Sequence, residues 1–173
     1  VAAATFGTVR ATGSLDFGFF DWPHDTEAPV EKTITHSNDS EEVVTLDLSA
    51  MVNDNNGSEA PKGMITLSTE KVTIAAKSST EVKVTLDPQL GALGARYQGH
   101  ISATIGDQTV AHTALGMIKE EEKYPLTIKA TDLDGAPTLA YFNLIGPKGD
   151  PQFFAVDGTL ELRLVPGTYS VMS

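Results

Sequence analysis

The stretch Tyr97-Gln98-Gly99-His100-Ile101-Ser102-Ala103-Thr104-Ile105 alternates polar side chains with apolar side chains or glycine at every residue. A period of two places the apolar side chains on one face of an extended strand and the polar ones on the other. An antiparallel sheet with one face in a core and one face in solvent produces this alternation. The stretch therefore predicts a half-buried β-strand and favours an all-β fold.

The same alternation recurs on both sides of this stretch. Leu15, Phe17 and Phe19 share one predicted face of an earlier strand, and residues 44–48 and 82–86 repeat the pattern. Turn-forming clusters separate the strands, among them residues 53–57 and Gly106-Asp107. About seven short strands are predicted before residue 119, which is enough for a complete β-sandwich.

A charged run, Lys119-Glu120-Glu121-Glu122-Lys123, interrupts the β pattern, and the pattern restarts at Tyr124. This predicts two tandem β-sandwich modules, at residues 10–118 and 124–173, joined by a solvated linker at 119–123. Residues 1–9 are predicted to be the tail of a preceding element. The second module ends inside a strand-like pattern, so we expect a truncated module and a chain that is a piece of a longer polypeptide.

Composition excludes several classes of function. The 173 residues carry a formal charge of −11, which disfavours binding to nucleic acid and to anionic lipid. Hydrophobic residues make up 40% of the chain, enough for a packed core, but no run of 18 apolar residues predicts membrane insertion. Cysteine is absent, so disulfides and thiolate metal sites are excluded.

Motifs for catalysis or metal binding are weak. None of the four histidines (His24, His36, His100 and His112) lies in a nucleophile or base motif, so no catalytic residue and no cofactor is predicted. Asp132 and Asp134 resemble the start of a calcium loop and are the candidate cation ligands. Position twelve of that loop is Asn143 rather than glutamate, and Asp134-Gly135 is a strong turn signal. A hairpin turn is therefore the favoured interpretation.

An aromatic cluster is the candidate docking surface. Phe19, Phe20, Trp22 and His24 lie within six residues and could form a binding patch for a protein or a sugar. Such a cluster can equally supply a core and an interdomain contact.

Three motifs stand in a recognisable order: "S-x-D-F-G" at Ser14 to Gly18, "T-x-T-x-x-N" at Thr33 to Asn38, and "Y-x-G-x-I" at Tyr97 to Ile101. Together they resemble the fibronectin type III-like module that follows the catalytic domain in bacterial secreted subtilisin-like serine peptidases. The resemblance covers residues 10–118, and Val1-Ala2-Ala3-Ala4 is similar to the end of the helix that precedes the module in those enzymes.

The second module resembles a transthyretin-like or carboxypeptidase-regulatory-like sandwich. The matching residues are Asp134-Gly135-Ala136-Pro137, Asp157-Gly158-Thr159-Leu160 and Pro166-Gly167-Thr168-Tyr169. These motifs mark hairpins and carry no chemistry.

The resemblance implies a non-catalytic accessory segment of a secreted peptidase, located outside the cell or at the cell wall. Its expected partner is the peptidase's own catalytic domain, on which it would pack and shape substrate access; a protein substrate is a further expected partner. No triad residue has a counterpart in this chain. The alternative hypothesis is an extracellular adhesion module that binds a protein or a glycan.

Overall fold

A computed structural model describes residues 8–172, and these residues form strands and loops without a helix. The predicted all-β fold class is confirmed. The helix tail expected at Val1-Ala2-Ala3-Ala4 lies outside the described residues. Among residues 8–172, no helix has the length and apolar character needed to cross a bilayer.

The chain divides into two compact units, with the boundary between Glu120 and Glu121. Unit 1, as far as it is described, holds nine strands. They are β1 (Val9–Ala11), β2 (Ser14–Phe20), β3 (Val30–Asn38), β4 (Val44–Asn53), β5 (Ile65–Leu67), β6 (Lys71–Ile74), β7 (Ser78–Leu86), β8 (Arg96–Ile105) and β9 (Gln108–Lys119).

Unit 1 is a sandwich of two sheets with immunoglobulin-like architecture. One sheet has the order β1-β3-β7-β5, and the other has the order β2-β9-β8-β4-β6. The stretch that predicted the fold is β8, in the middle of the larger sheet. It forms a hairpin with β9 across Gly106-Asp107, where Gly106 has a φ of 59°.

One pairing departs from the predicted antiparallel pattern, because β2 runs parallel to β9. The chain leaves the smaller sheet after β1 and enters the larger one at β2, with Thr12 and Gly13 between them. Since β1 and β2 belong to different sheets, β2 pairs with β9, a strand that is distant in sequence. The alternation of side chains within β2 does not indicate which strand it pairs with.

The core of unit 1 is formed by the inward faces of both sheets. Alternate residues of β3, β4 and β7 are fully or almost fully buried. Asn38 is also buried at the end of β3: its Nδ2 donates to the carbonyl oxygens of Glu42 (2.7 Å) and Ala75 (3.1 Å). Its Oδ1 accepts from the Ser40 amide at 3.0 Å, so the asparagine of the second motif organises the following turn.

Unit 2, described over residues 121–172, holds five strands there in two smaller sheets. They are β10 (Tyr124–Lys129), β11 (Leu139–Ile145), β12 (Pro151–Asp157), β13 (Thr159–Leu164) and β14 (Ser170–Met172). β10 pairs with β13, and the second sheet has the order β12-β11-β14. Among its described residues, the buried core consists of Phe142, Leu144 and Val156. A groove of about 670 Å³, lined mainly by apolar residues of β10, β11 and β14, opens from this core.

Candidate functional site

The four residues of the predicted docking patch lie in different environments. Phe19 is 55% exposed, whereas Phe20 and His24 are buried. Trp22 is half-buried and contacts the His24 ring edge-on, with ring centroids 5.6 Å apart. Among the four, Phe19 is therefore the main contributor to the surface, and Phe20 and His24 belong to the interior.

A β-bulge explains this division. The β2–β9 register shifts between Asp16 and Phe19, and Gly18 adopts a φ of 84°, a conformation that glycine tolerates well. Simple alternation places Phe19 on the inward face with Leu15 and Phe17. The bulge instead turns Phe19 outward and Phe20 inward, so the predicted face of Phe19 was wrong.

Sequence reasoning missed one exposed apolar residue beside Phe19 and another in the loop before β8. Ile118 pairs with Phe19 across β2 and β9 and is 37% exposed. Leu93 is exposed in the loop before β8, and the amide of the next residue, Gly94, donates to the carbonyl of Glu120 at 3.3 Å. We call the pair Phe19 and Ile118 the Phe19 patch. Consecutive apolar residues Met117-Ile118 in one strand were a usable signal, because one of them must face outward.

A buried lysine lies at the same end of the sheet. Lys119 is the last residue of β9 and is 1% exposed. Its ammonium group donates to the carbonyl oxygens of Leu90 (2.7 Å) and Gly91 (3.2 Å). Burial lowers the pKa of Lys119 because it removes water from the charged form, and the Asp87 carboxylate partly offsets this effect. Lys119 therefore fixes the loop that carries Leu93.

Tyr97, the second residue of β8, holds the same loop. The buried Tyr97 hydroxyl accepts a hydrogen bond from the Ala92 amide at 2.8 Å. Gly91 packs on this ring with a φ of 89°, and a Cβ there would lie 2.7 Å from the hydroxyl oxygen. Glycine is therefore required at this position for two reasons, backbone conformation and space.

Glu120 and His24 complete the buried polar cluster. One Glu120 carboxylate oxygen accepts from the Trp22 amide at 3.0 Å, and the Glu120 amide donates to the Phe20 carbonyl at 2.9 Å. Nε2 of His24 donates to the same carbonyl at 3.0 Å. The run that was predicted to be a solvated linker from residue 119 thus begins with two buried residues of unit 1. These internal hydrogen bonds hold the strand ends beneath the Phe19 patch in one conformation.

Unit 2 has an apolar surface of its own on the outer side of the β12-β11-β14 sheet. Tyr141 and Phe153 are both more than half exposed, and their rings stack with centroids 5.9 Å apart and planes at 10°. Leu139 and Met172 are exposed on the same side. We call these four residues the aromatic face. The sequence of β11, Leu-Ala-Tyr-Phe-Asn-Leu-Ile, already indicated apolar side chains on both faces.

The candidate cation ligands lie in a turn of unit 2. Oδ1 of Asp132 accepts from the amides of Asp134 (3.0 Å) and Ala136 (2.9 Å), and Gly135 has a φ of 85°. The Asp132 carboxylate thus stabilises the turn between β10 and β11. Within residues 8–172, no group of three or more histidine, aspartate or glutamate side chains is arranged to hold a metal ion.

The histidines fall into two pairs by environment. His24 and His36 are buried, and burial lowers the pKa of His36 because it disfavours the charged imidazolium. His100 and His112 lie on the outer face of β8 and β9, where their rings contact each other.

No protein-family model matches this sequence, and no curated protein is significantly similar to it. A solved structure shares its fold. A family 123 glycoside hydrolase from Clostridium perfringens is 11% identical, with a TM-score of 0.53 over 66% of this chain and 27% of that chain. A PapD-like domain of human CEP192 is 15% identical, with a TM-score of 0.49 over 67% of this chain and 87% of that domain.

At these identities the likeness concerns the fold alone. The glycoside hydrolase match spans about a quarter (27%) of that enzyme, so its activity does not transfer to this chain. Neither of these structures is described as a subtilisin-like peptidase or a fibronectin type III module.

Proposed function

We propose that this chain is a non-catalytic accessory segment of a secreted subtilisin-like serine peptidase, C-terminal to the catalytic domain. The observation that carries the proposal is the Phe19 patch. Phe19 and Ile118 form an exposed apolar pair on adjacent strands. Burying one such side chain contributes about 1.5–3 kcal/mol, so a partner surface that covers the patch gains appreciably.

The buried polar cluster supports the docking role. Lys119 and Tyr97 fix the loop of Leu93, and Glu120 fixes the chain at Trp22. A preorganised surface loses little conformational entropy on binding. The catalytic domain of the same protein is the proposed partner, and packing against it would shape the access of protein substrates. The ordered motifs at Ser14–Gly18, Thr33–Asn38 and Tyr97–Ile101 are the sequence basis for naming this peptidase class.

The test starts from the full-length protein. We expect a serine-peptidase domain upstream of Val1. Replacing Phe19 and Ile118 together by serine should slow hydrolysis of a protein substrate such as casein more than hydrolysis of a short chromogenic peptide. The matched control is Met51→Ser, because Met51 is an equally exposed apolar residue of the same sheet, outside the patch. An upstream sequence without a peptidase domain, or a double variant that behaves like Met51→Ser, would contradict the proposal.

The second candidate function is an extracellular binding or adhesion module, and the aromatic face favours it. Stacked, exposed aromatic rings on a sheet are typical of surfaces that bind proteins or sugars. In the same full-length protein, Tyr141→Ser with Phe153→Ser would then abolish binding to a protein or glycan array while leaving hydrolysis unchanged. Leu133→Ser, at a fully exposed loop residue of the same unit, is the control.

A further inference from the structure

Two imidazoles meet on the outer face of the larger sheet of unit 1. His100 lies on β8 and His112 on β9, one step diagonally apart, because His100 pairs with Ala114 and Ser102 pairs with His112. Their ring centroids are 5.2 Å apart and their planes are at 82°. Both side chains reach solvent, whereas the other two histidines are buried.

The separation matches a chelate. A zinc–imidazole bond is about 2.0–2.1 Å long, and the ring nitrogen lies about 1.1 Å from the ring centre. Two imidazoles on one ion at a tetrahedral angle therefore have ring centres about 5.2 Å apart. The observed centroid separation of 5.2 Å equals this value, so β8 and β9 already hold the two rings at the spacing of a chelate.

The surroundings leave the ligand nitrogens accessible. Oγ of Ser102 lies 3.4 Å from Nδ1 of His112, which leaves Nε2 of that ring as the metal ligand. On this face Ala114 of β9 lies opposite His100 on one side, and the exposed Met51 of β4 lies opposite it on the other. His112 is exposed and His100 is partly exposed, so the remaining coordination positions of an ion would take water.

We propose that His100 and His112 form a two-imidazole site for a divalent transition-metal ion, with Zn²⁺ as the reference ion. Neutral imidazole suits Zn²⁺, Cu²⁺ and Ni²⁺, whereas Ca²⁺ and Mg²⁺ prefer oxygen ligands. The ion would link β8 to β9 in the middle of the sheet. Because such an ion binds the folded state, it would also stabilise unit 1.

The test is calorimetric titration of the 173-residue chain, prepared without a histidine tag, with ZnCl₂. We expect one site per chain, and no heat with CaCl₂. His100→Asn and His112→Asn should each weaken binding about tenfold or more, because each removes one arm of the chelate. Gln98→Ala is the matched control, since Gln98 lies on the same face of β8 two residues from His100.

A second readout separates the pair from scattered surface binding. Zn²⁺ should raise the melting temperature of the wild type and of Gln98→Ala, and leave that of both histidine variants unchanged. The proposal is overturned if either single variant keeps the wild-type affinity. It is likewise overturned if the wild type binds Zn²⁺ no more tightly than the variant lacking both histidines.

Discussion

The inward faces of the strands are apolar in both units, yet the two units cover them differently. In unit 1, Ile34, Leu46 and Val82 have no exposed surface. In unit 2, Leu126 and Val171 line the groove between the sheets and are 39% and 64% exposed. The same alternation therefore yields a closed sandwich in one unit and an open one in the other.

Strand number accounts for much of this difference. The described part of unit 1 places nine strands in its two sheets, and unit 2 places five. A small unit buries a smaller fraction of its surface, and its sheets have more edge relative to their area. Unit 1 therefore has the larger buried core, while unit 2 keeps apolar surface exposed in the groove and on the aromatic face.

The largest expected effect is the loss of unfolding free energy when a core leucine is replaced by alanine, compared between the two units. Leu86→Ala removes a fully buried side chain of unit 1 and should cost about 2–5 kcal/mol of unfolding free energy. Leu162→Ala removes a half-buried side chain of unit 2 and should cost about 1 kcal/mol. Hydrogen exchange followed by mass spectrometry on β7 and β13 measures both losses. Equal losses would mean that the core of unit 2 is as closed as that of unit 1.

The next effect is the change in stability when a core alanine is replaced by leucine, the opposite change in volume. Ala103→Leu adds volume to a filled core, where Ala103 is 1% exposed, and should cost about 1–3 kcal/mol. Ala140→Leu adds the same volume beside the groove of unit 2, where space is open, and should change stability by less than about 1 kcal/mol.

The control for this pair is Ala155→Leu, on the exposed outer side of the same sheet of unit 2. It shows the effect of a leucine that enters no cavity. A large loss for Ala140→Leu, measured by the same hydrogen-exchange experiment, would show that the groove does not accept an added side chain.

Local periodicity predicted most of the strands: about seven were expected before residue 119, and the described part of unit 1 holds nine. The stretch from Tyr97 to Ile105 corresponds to β8, which begins one residue earlier at Arg96, and the turn at Gly106-Asp107 is the β8–β9 hairpin. These features depend on side-chain alternation and turn chemistry within a few residues. The all-β class follows from them.

Features that depend on distant residues were not predictable in this way. Lys119 belongs to a charged run, and its burial depends on the carbonyls of Leu90 and Gly91 in a loop far away in sequence. The outward position of Phe19 depends on the bulge against β9. For the candidate site, the sequence predicted Phe19 but could not predict its pairing with Ile118, because the parallel β2–β9 contact is non-local.

The smallest expected effect is a pH dependence of stability that the two units do not share. All four histidines lie in unit 1. Burial lowers the pKa of His36 in the folded state below the ordinary value of 6.5. Between pH 6.5 and the folded-state pKa, the unfolded chain therefore binds more protons than the folded one. The stability contributed by neutral His36 is present above pH 6.5 and is lost as pH falls through this window, by at most about 1.4 kcal/mol per pH unit.

His36→Gln should remove this loss, because glutamine keeps a polar side chain in β3 but does not titrate. Urea unfolding followed by fluorescence of Trp22, the single tryptophan, reports on unit 1, and hydrogen exchange in β11 reports on unit 2. We expect the wild-type and variant stabilities of unit 1 to converge or cross as the pH falls from 7 toward 5. The stability of unit 2 should be the same in both proteins at each pH. A constant difference across this range would mean that His36 takes up its proton as readily in the folded chain as in the unfolded one.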